Sequence, residues 1–389
     1  LLRRTLATML GVAAAAGATA AAASAHTYYI SRSHGNNANP CTKQAPCATI
    51  RYGVGKAHRG DTVVVEPGTY RQNVRIFKDI RVIGIGHPVL NLKGLNSNGF
   101  YIRGAAAAGT TISGFIVEGA DFEGILVQNT SRVTIADNIV RDNDQGVHAK
   151  QPTGECAPFQ GAPGDCGEAI HLIHVTFSTV RGNRVYGNAG GIYLTDETGP
   201  TAHNLIEDNM VNRNLLDCGI TLAGHNPKAV PSKGHLGGVY DNTIRDNVAN
   251  GNGTRGEGAG ILMATAAPGG GVWGNLVEGN TANGNGLAGV TIHSHAPHQD
   301  LNGNRIEHNR LSHNGVDDSS EVEFGENDGK HSVTVDILAG SDVGKLRGIV
   351  ITGNVLSDAH YGVYTKNDAT RVNRKRNTFH HVAVPVRQV

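Results

Sequence analysis

Along most of this chain, apolar residues alternate with polar ones in runs too short for helices. The phrase Gly-aliphatic-x-aliphatic recurs as Gly124-Ile-Leu-Val127, Gly146-Val-His-Ala149, Gly191-Ile-Tyr-Leu194, Gly219-Ile-Thr-Leu222, Gly260-Ile-Leu-Met263, Gly289-Val-Thr-Ile292 and Gly362-Val-Tyr-Thr365. A period of two places both aliphatics on one face and the third residue on the other, so each phrase predicts a short strand with an inner and an outer side. A second phrase lies between these strands: an asparagine, a spacer, an aliphatic residue, two more spacers and usually another asparagine. It starts at Asn138, Asn183, Asn209, Asn247, Asn280, Asn309 and Asn354, with further copies from Asn204, Asn242, Asn275 and Asn304. A repeat of roughly 25 to 35 residues built from strands and turns predicts a solenoid with one coil per copy.

Asparagine suits the inside of each bend, because its short amide bonds to backbone and tolerates left-handed φ. Stacked at about 4.8 Å, the amides are expected to form a ladder in which each donates to the next. Together the two phrases resemble the right-handed parallel β-helix proteins of the pectate-lyase-like superfamily, over nearly all of the chain after residue 26. The resemblance implies an all-β, single-stranded, right-handed parallel β-helix with an N-terminal capping helix. It also implies an extended sugar polymer as ligand along the outward side of the glycine-phrase strands.

Composition agrees with a narrow stack rather than a globule: 53 glycines serve its corners, and an aromatic content of 5% suits a thin bore. The formal net charge of +1 supplies no general attraction for nucleic acid. Residues 1–25 read as a signal peptide, with Arg3 and Arg4, an alanine-rich run and the small-residue site Ala23-Ser24-Ala25, so the expectation is a secreted monomer without a membrane anchor. The remainder, 26–389, reads as one domain. Residues 26–76 hold the N-terminal cap, with a short helix from Ala48 to Ala57, and the first coil; 371–389 are expected to close the other end. Cys41 with Cys47 and Cys156 with Cys166 are the expected disulfides, leaving Cys218 as a buried small residue; the alternative pairing exchanges Cys218 for one of Cys156 and Cys166.

Candidate chemistry lies on the outward positions. Taken coil by coil they are Leu126 and Gln128, His148 and Lys150, His171, Tyr193 and Thr195, Thr221, Leu262, Thr291 and His293, then Tyr364 and Lys366. His148, His171 and Tyr193 are the residue types that remove a proton beside a uronate carboxylate and protonate a departing glycosidic oxygen, with Lys150 as counter-charge. Thr195, Thr221, His293, Tyr364 and Lys366 are the expected substrate contacts. Asp196, Glu197 and Asp217 are expected to bind calcium, or to serve as the acid and base of a glycoside hydrolase. His293, His295 and His298 have a zinc-like composition with weak spacing, and Glu321, Glu323, Glu326 and Asp328 read as a solvated flap.

The Asn-Thr-Asp, Gly-His-Gly and Arg-Ile-Lys set of polygalacturonases and the Asp-Pro-His phrase of alginate epimerases are missing from the sequence. These absences leave the subfamily open; the resemblance and the outward His, Tyr and Lys residues make the expectation cleavage of an acidic polysaccharide by β-elimination. The alternatives are a hydrolase or epimerase on the same fold, or a solenoid that only binds a polysaccharide or a surface.

Overall fold

The computed structural model describes residues 25–143, 168–230, 236–255, 258–265, 268–294, 297–315, 334–341, 345–366, 368–373 and 375–388. Strands visit three faces in turn. One coil runs Thr62–Val65, Thr69–Tyr70, Val74–Ile76, and the next Arg81–Gly84, Val89–Asn91, Phe100–Arg103. Strands on the same face of successive coils pair in parallel, as in Thr62↔Arg81, Thr69↔Val89 and Val74↔Phe100.

The first face is a 12-stranded sheet and the site face a 14-stranded one. On the third face, a 6-stranded and a 4-stranded sheet are joined through bridges from Met210 to Val248 and from Val248 to Thr281. Among the described residues no helix is long and apolar enough to cross a membrane.

The alternation of the glycine phrase does what its period requires. Ile125, Ile170, Ile192, Ile220, Ile261, Val290, Ile337 and Val363 occupy one register and are all at most 1% exposed. Burying each contributes about 1.5–3 kcal/mol, summed along the bore into the main stabilising term.

The asparagines form three ladders. In the first, Nδ2 of Asn138 donates to Oδ1 of Asn183, Asn183 to Asn209, and so on through Asn247, Asn280, Asn309 and Asn354 to Asn377. A second runs from Asn143 through Asn188, Asn214, Asn252 and Asn285 to Asn314 and ends on Asp336. A third joins Asn204, Asn242, Asn275 and Asn304. Left-handed φ belongs to the residue before the ladder asparagine: Asp137, Asp142, Asp208, Asp241, Asp246, Gly274 and Gly279 all have it. This corrects the expectation that the asparagine itself takes that conformation.

Other expectations meet the structure unevenly. The helix forms at Ile50–Lys56, with Thr49 accepting from Tyr52 N and Ile50 and Val54 buried. Cys41 and Cys47 are bonded, and Cys218 is free and buried; Cys156 and Cys166 lie outside the described residues. Near the C-terminus, Asp368–Val372, Thr378–His380 and Val384–Gln388 each extend one of the stacks.

The Gly146 phrase was expected to add a strand between those of Leu126 and His171. That phrase lies outside the described residues; among these, Ile125–Ser131 pairs directly with Ile170–Thr176 on one side and Phe100–Arg103 on the other. Among the described site-face strands that the phrases do not mark are Phe100–Arg103, Val384–Gln388 and Val335–Ser341, the last joining without a glycine opening its phrase.

Candidate functional site

Parallel register fixes which outward residues are neighbours. Leu126, His171, Tyr193, Thr221, Leu262, Thr291, Leu338 and Tyr364 form one row along the site face. Gln128, Ile173, Thr195, Ala223, Ala264, His293, Gly340 and Lys366 form the next.

His171 and Tyr193 therefore adjoin, with ring centroids 4.8 Å apart. His148 and Lys150 lie outside the described residues; the described neighbours of His171 in its row are Leu126 and Tyr193. His293 sits three strands beyond Thr195, and Tyr364 and Lys366 lie on the fifth strand beyond Tyr193. At about 4.8 Å per strand, these are roughly 14 and 24 Å away, so only a long ligand reaches them all.

Around His171 and Tyr193 the polar groups close into a ring. His171 Nδ1 is 3.2 Å from Glu123 Oε1, and its Nε2 is 3.0 Å from Thr195 Oγ1. Thr195 donates its hydroxyl proton to Glu197 Oε2. Glu197 Oε1 lies 2.6 Å from His225 Nδ1, and His225 Nε2 lies 3.3 Å from the Tyr193 hydroxyl. His171, Thr195 and Tyr193 are buried, whereas the Glu197 and His225 side chains keep 18% of their surface and form the accessible rim.

The hydrogen-bond polarity of this ring follows from its acceptors. A carboxylate only accepts, so His225 carries its proton on Nδ1 and, as the neutral imidazole, receives the tyrosine hydroxyl on Nε2. Thr195 has one proton and gives it to Glu197, so His171 Nε2 must be the donor to Thr195. Burial raises the Glu197 carboxyl, but the His225 hydrogen bond, the positive charge that His225 and His171 carry when protonated, and the Thr195 hydroxyl hold it below the usual carboxylate range.

Asp196 has a different role. Its Oδ1 accepts from the backbone N–H of His225 at 2.6 Å and of Asn226 at 3.0 Å, and Oδ2 accepts from Gly238 N. Asp196 thus ties down both ends of the loop that begins with His225. Burial pushes it to about 6 against the pull of those three donors. Asp217 bonds to Cys218 N at 2.6 Å and lies across Gly190 from Glu168.

Asp196, Glu197 and Asp217 do not converge as the expected calcium set. Among the described residues, the groups with metal-ligand spacing are Glu123, Glu168 and His171, and separately Glu278, Glu307 and His308. His295 and the acidic stretch from Glu321 to Asp328 lie outside the described residues.

Sequence reasoning missed Glu123, Glu168 and His225 as site residues. Glu123 and Glu168 were findable, since each stands two residues before the registered pair Ile125↔Ile170. His225 was not, because its position depends on the Asp196 contacts across the chain.

The fold recurs in solved structures. The GH136 lacto-N-biosidase from Eubacterium ramulus matches with TM-score 0.55 at 12% identity, covering 92% of this chain and 68% of that one. Pectate lyase Pel9A matches with TM-score 0.52 at 17% identity, covering 89% and 78%. The Azotobacter vinelandii mannuronan C-5 epimerase AlgE6 A-module matches with TM-score 0.54 at 16% identity, covering 84% and 87%. Such identities carry the architecture alone. No curated protein matches the sequence. The family model described as "Right handed beta helix region" matches residues 89–306, over half of the chain. With its parallel three-faced coils and ladders, this chain belongs to the right-handed β-helix family.

Proposed function

We propose that this protein binds an acidic, uronate-containing polysaccharide along the site face and cleaves it by β-elimination, as a secreted monomer. The observation that carries the reading is the hydrogen-bonded path from Glu197 through His225 to the Tyr193 hydroxyl, at 2.6 and 3.3 Å. Its likeness in fold to a pectate lyase and a mannuronan C-5 epimerase supports the polymer class, and the Cys41–Cys47 disulfide suits an oxidising compartment.

His225, oriented by Glu197, takes the Tyr193 phenolic proton, and the imidazolium formed is held by the carboxylate. The phenolate removes the proton beside the uronate carboxylate. The C–H electron pair becomes the new C=C bond as the glycosidic C–O bond breaks, and the tyrosine proton passes to the departing oxygen. The rows from Thr195 and Thr221 to His293, Tyr364 and Lys366 supply the track for the rest of the polymer.

The test is incubation of the purified chain with a panel of uronate polymers, following ultraviolet absorbance of the unsaturated sugar end. Absorbance that rises with the wild type and fails to rise with His225→Ala supports the reading. New reducing ends without unsaturation would instead make the protein a hydrolase, and neither signal with any polymer would leave it a binding solenoid.

A further inference from the structure

The ring leaves one contact unexplained. His171 donates through Nε2 to Thr195, so its Nδ1 faces Glu123 Oε1 at 3.2 Å either with a second proton or with a lone pair against an acceptor. Glu123 is 4% exposed, and its other oxygen, Oε2, is buried without a hydrogen-bond partner among the described residues. Leaving a buried carboxylate oxygen unpartnered is costly. Glu168, 1% exposed, stands in the same register position on the next strand of the stack. Ligand atoms of Glu123, Glu168 and His171 lie within 4.8 Å of one another. The next register position is Gly190, where an added Cβ would lie only 3.3 Å from Glu168 Cγ, so the glycine lets the Glu168 side chain pack close beside the cluster.

We propose that Glu123, Glu168 and His171 Nδ1 bind one divalent transition-metal ion. The ion takes the place of the second imidazole proton and gives Glu123 Oε2 its missing partner. Two carboxylates with an imidazole favour a first-row transition metal such as zinc or manganese over calcium, which prefers oxygen ligands alone. Three protein ligands leave a position open for water or a ligand oxygen, and modest side-chain movement brings all three to about 2.1 Å from a shared ion. Thr195 supports the site from outside, fixing the His171 tautomer through Nε2, as metal-bound histidines require. The site stands independently of β-elimination, since it requires only that these three side chains converge.

Calorimetric titration of untagged, chelator-treated protein with zinc, manganese or calcium chloride tests the assignment. The expected result is one equivalent of zinc or manganese bound at least about tenfold more tightly than calcium. Glu123→Gln and Glu168→Gln should each weaken binding by about tenfold or more, whereas Glu307→Gln, in the other acidic group, should leave it unchanged. Metal-free melting curves verify that the variants fold. A wild type that binds neither zinc nor manganese overturns the proposal and makes His171 and Glu123 a plain ion pair. Stoichiometric binding that survives both glutamate variants overturns it equally, because the ion would then sit elsewhere.

Discussion

At the scale of single residues, this protein rests on side chains whose hydrogen bonds are all internal. Asn247 accepts from Asn209, donates to Asn280 and also donates to the Ile206 carbonyl. Asn247→Ala leaves these partners buried and should cost about 1–3 kcal/mol, readable as a lower urea midpoint. Asp336 ends the second ladder, accepting from Asn314 Nδ2 at 3.1 Å and Ser357 N at 2.9 Å. Burial pushes its carboxyl from 3.8 to about 7.

The folded state therefore holds a proton at Asp336 that the unfolded chain gives up at lower pH. Its stabilising contribution is complete below the unfolded value and is lost as pH rises through about 7, with a slope of at most about 1.4 kcal/mol per pH unit. Melting temperatures measured across this range should fall with pH, and Asp336→Asn should flatten the fall; an unchanged slope would exclude Asp336 as its source. Cys218 is 1% exposed, with its thiol raised well above the usual range by burial and by Asp217. It should resist thiol reagents in the folded protein and react after unfolding.

At the scale of elements, strands were legible where a glycine opened an aliphatic-x-aliphatic phrase, because period two and a bore filled by aliphatics leave one register. The phrase at Gly146 reads as such a strand but lies outside the described residues, and the strands expected on either side of it pair directly with each other. Val335–Ser341 was overlooked since nothing in its sequence breaks the chain the way glycine does. The site was half legible: outward alternation finds His171 and Tyr193, but the register alone cannot reveal His225, which the Asp196 carboxylate brings in. Asp196→Ala should therefore lower kcat while leaving Glu197 and Tyr193 in place, and the loop lost with it should become the region most rapidly cut by protease.

At the scale of the whole molecule, stacking turns one coil's chemistry into a linear surface. Catalytic candidates cluster on three consecutive strands, and outward rows continue toward the C-terminal coils, which suits a polymer more than a small sugar. Shortening the substrate should therefore weaken binding progressively rather than abolish turnover at one length. The central claim is that the Tyr193 hydroxyl, poised by His225 and Glu197, moves the proton in β-elimination. Its most direct test is the rate of unsaturated-end formation by Tyr193→Phe under saturating uronate polymer. That substitution removes one oxygen and keeps the ring against His171. A kcat lowered by about 10²–10⁴-fold with the polymer still bound is the predicted result; a kcat equal to that of the wild type would contradict the account.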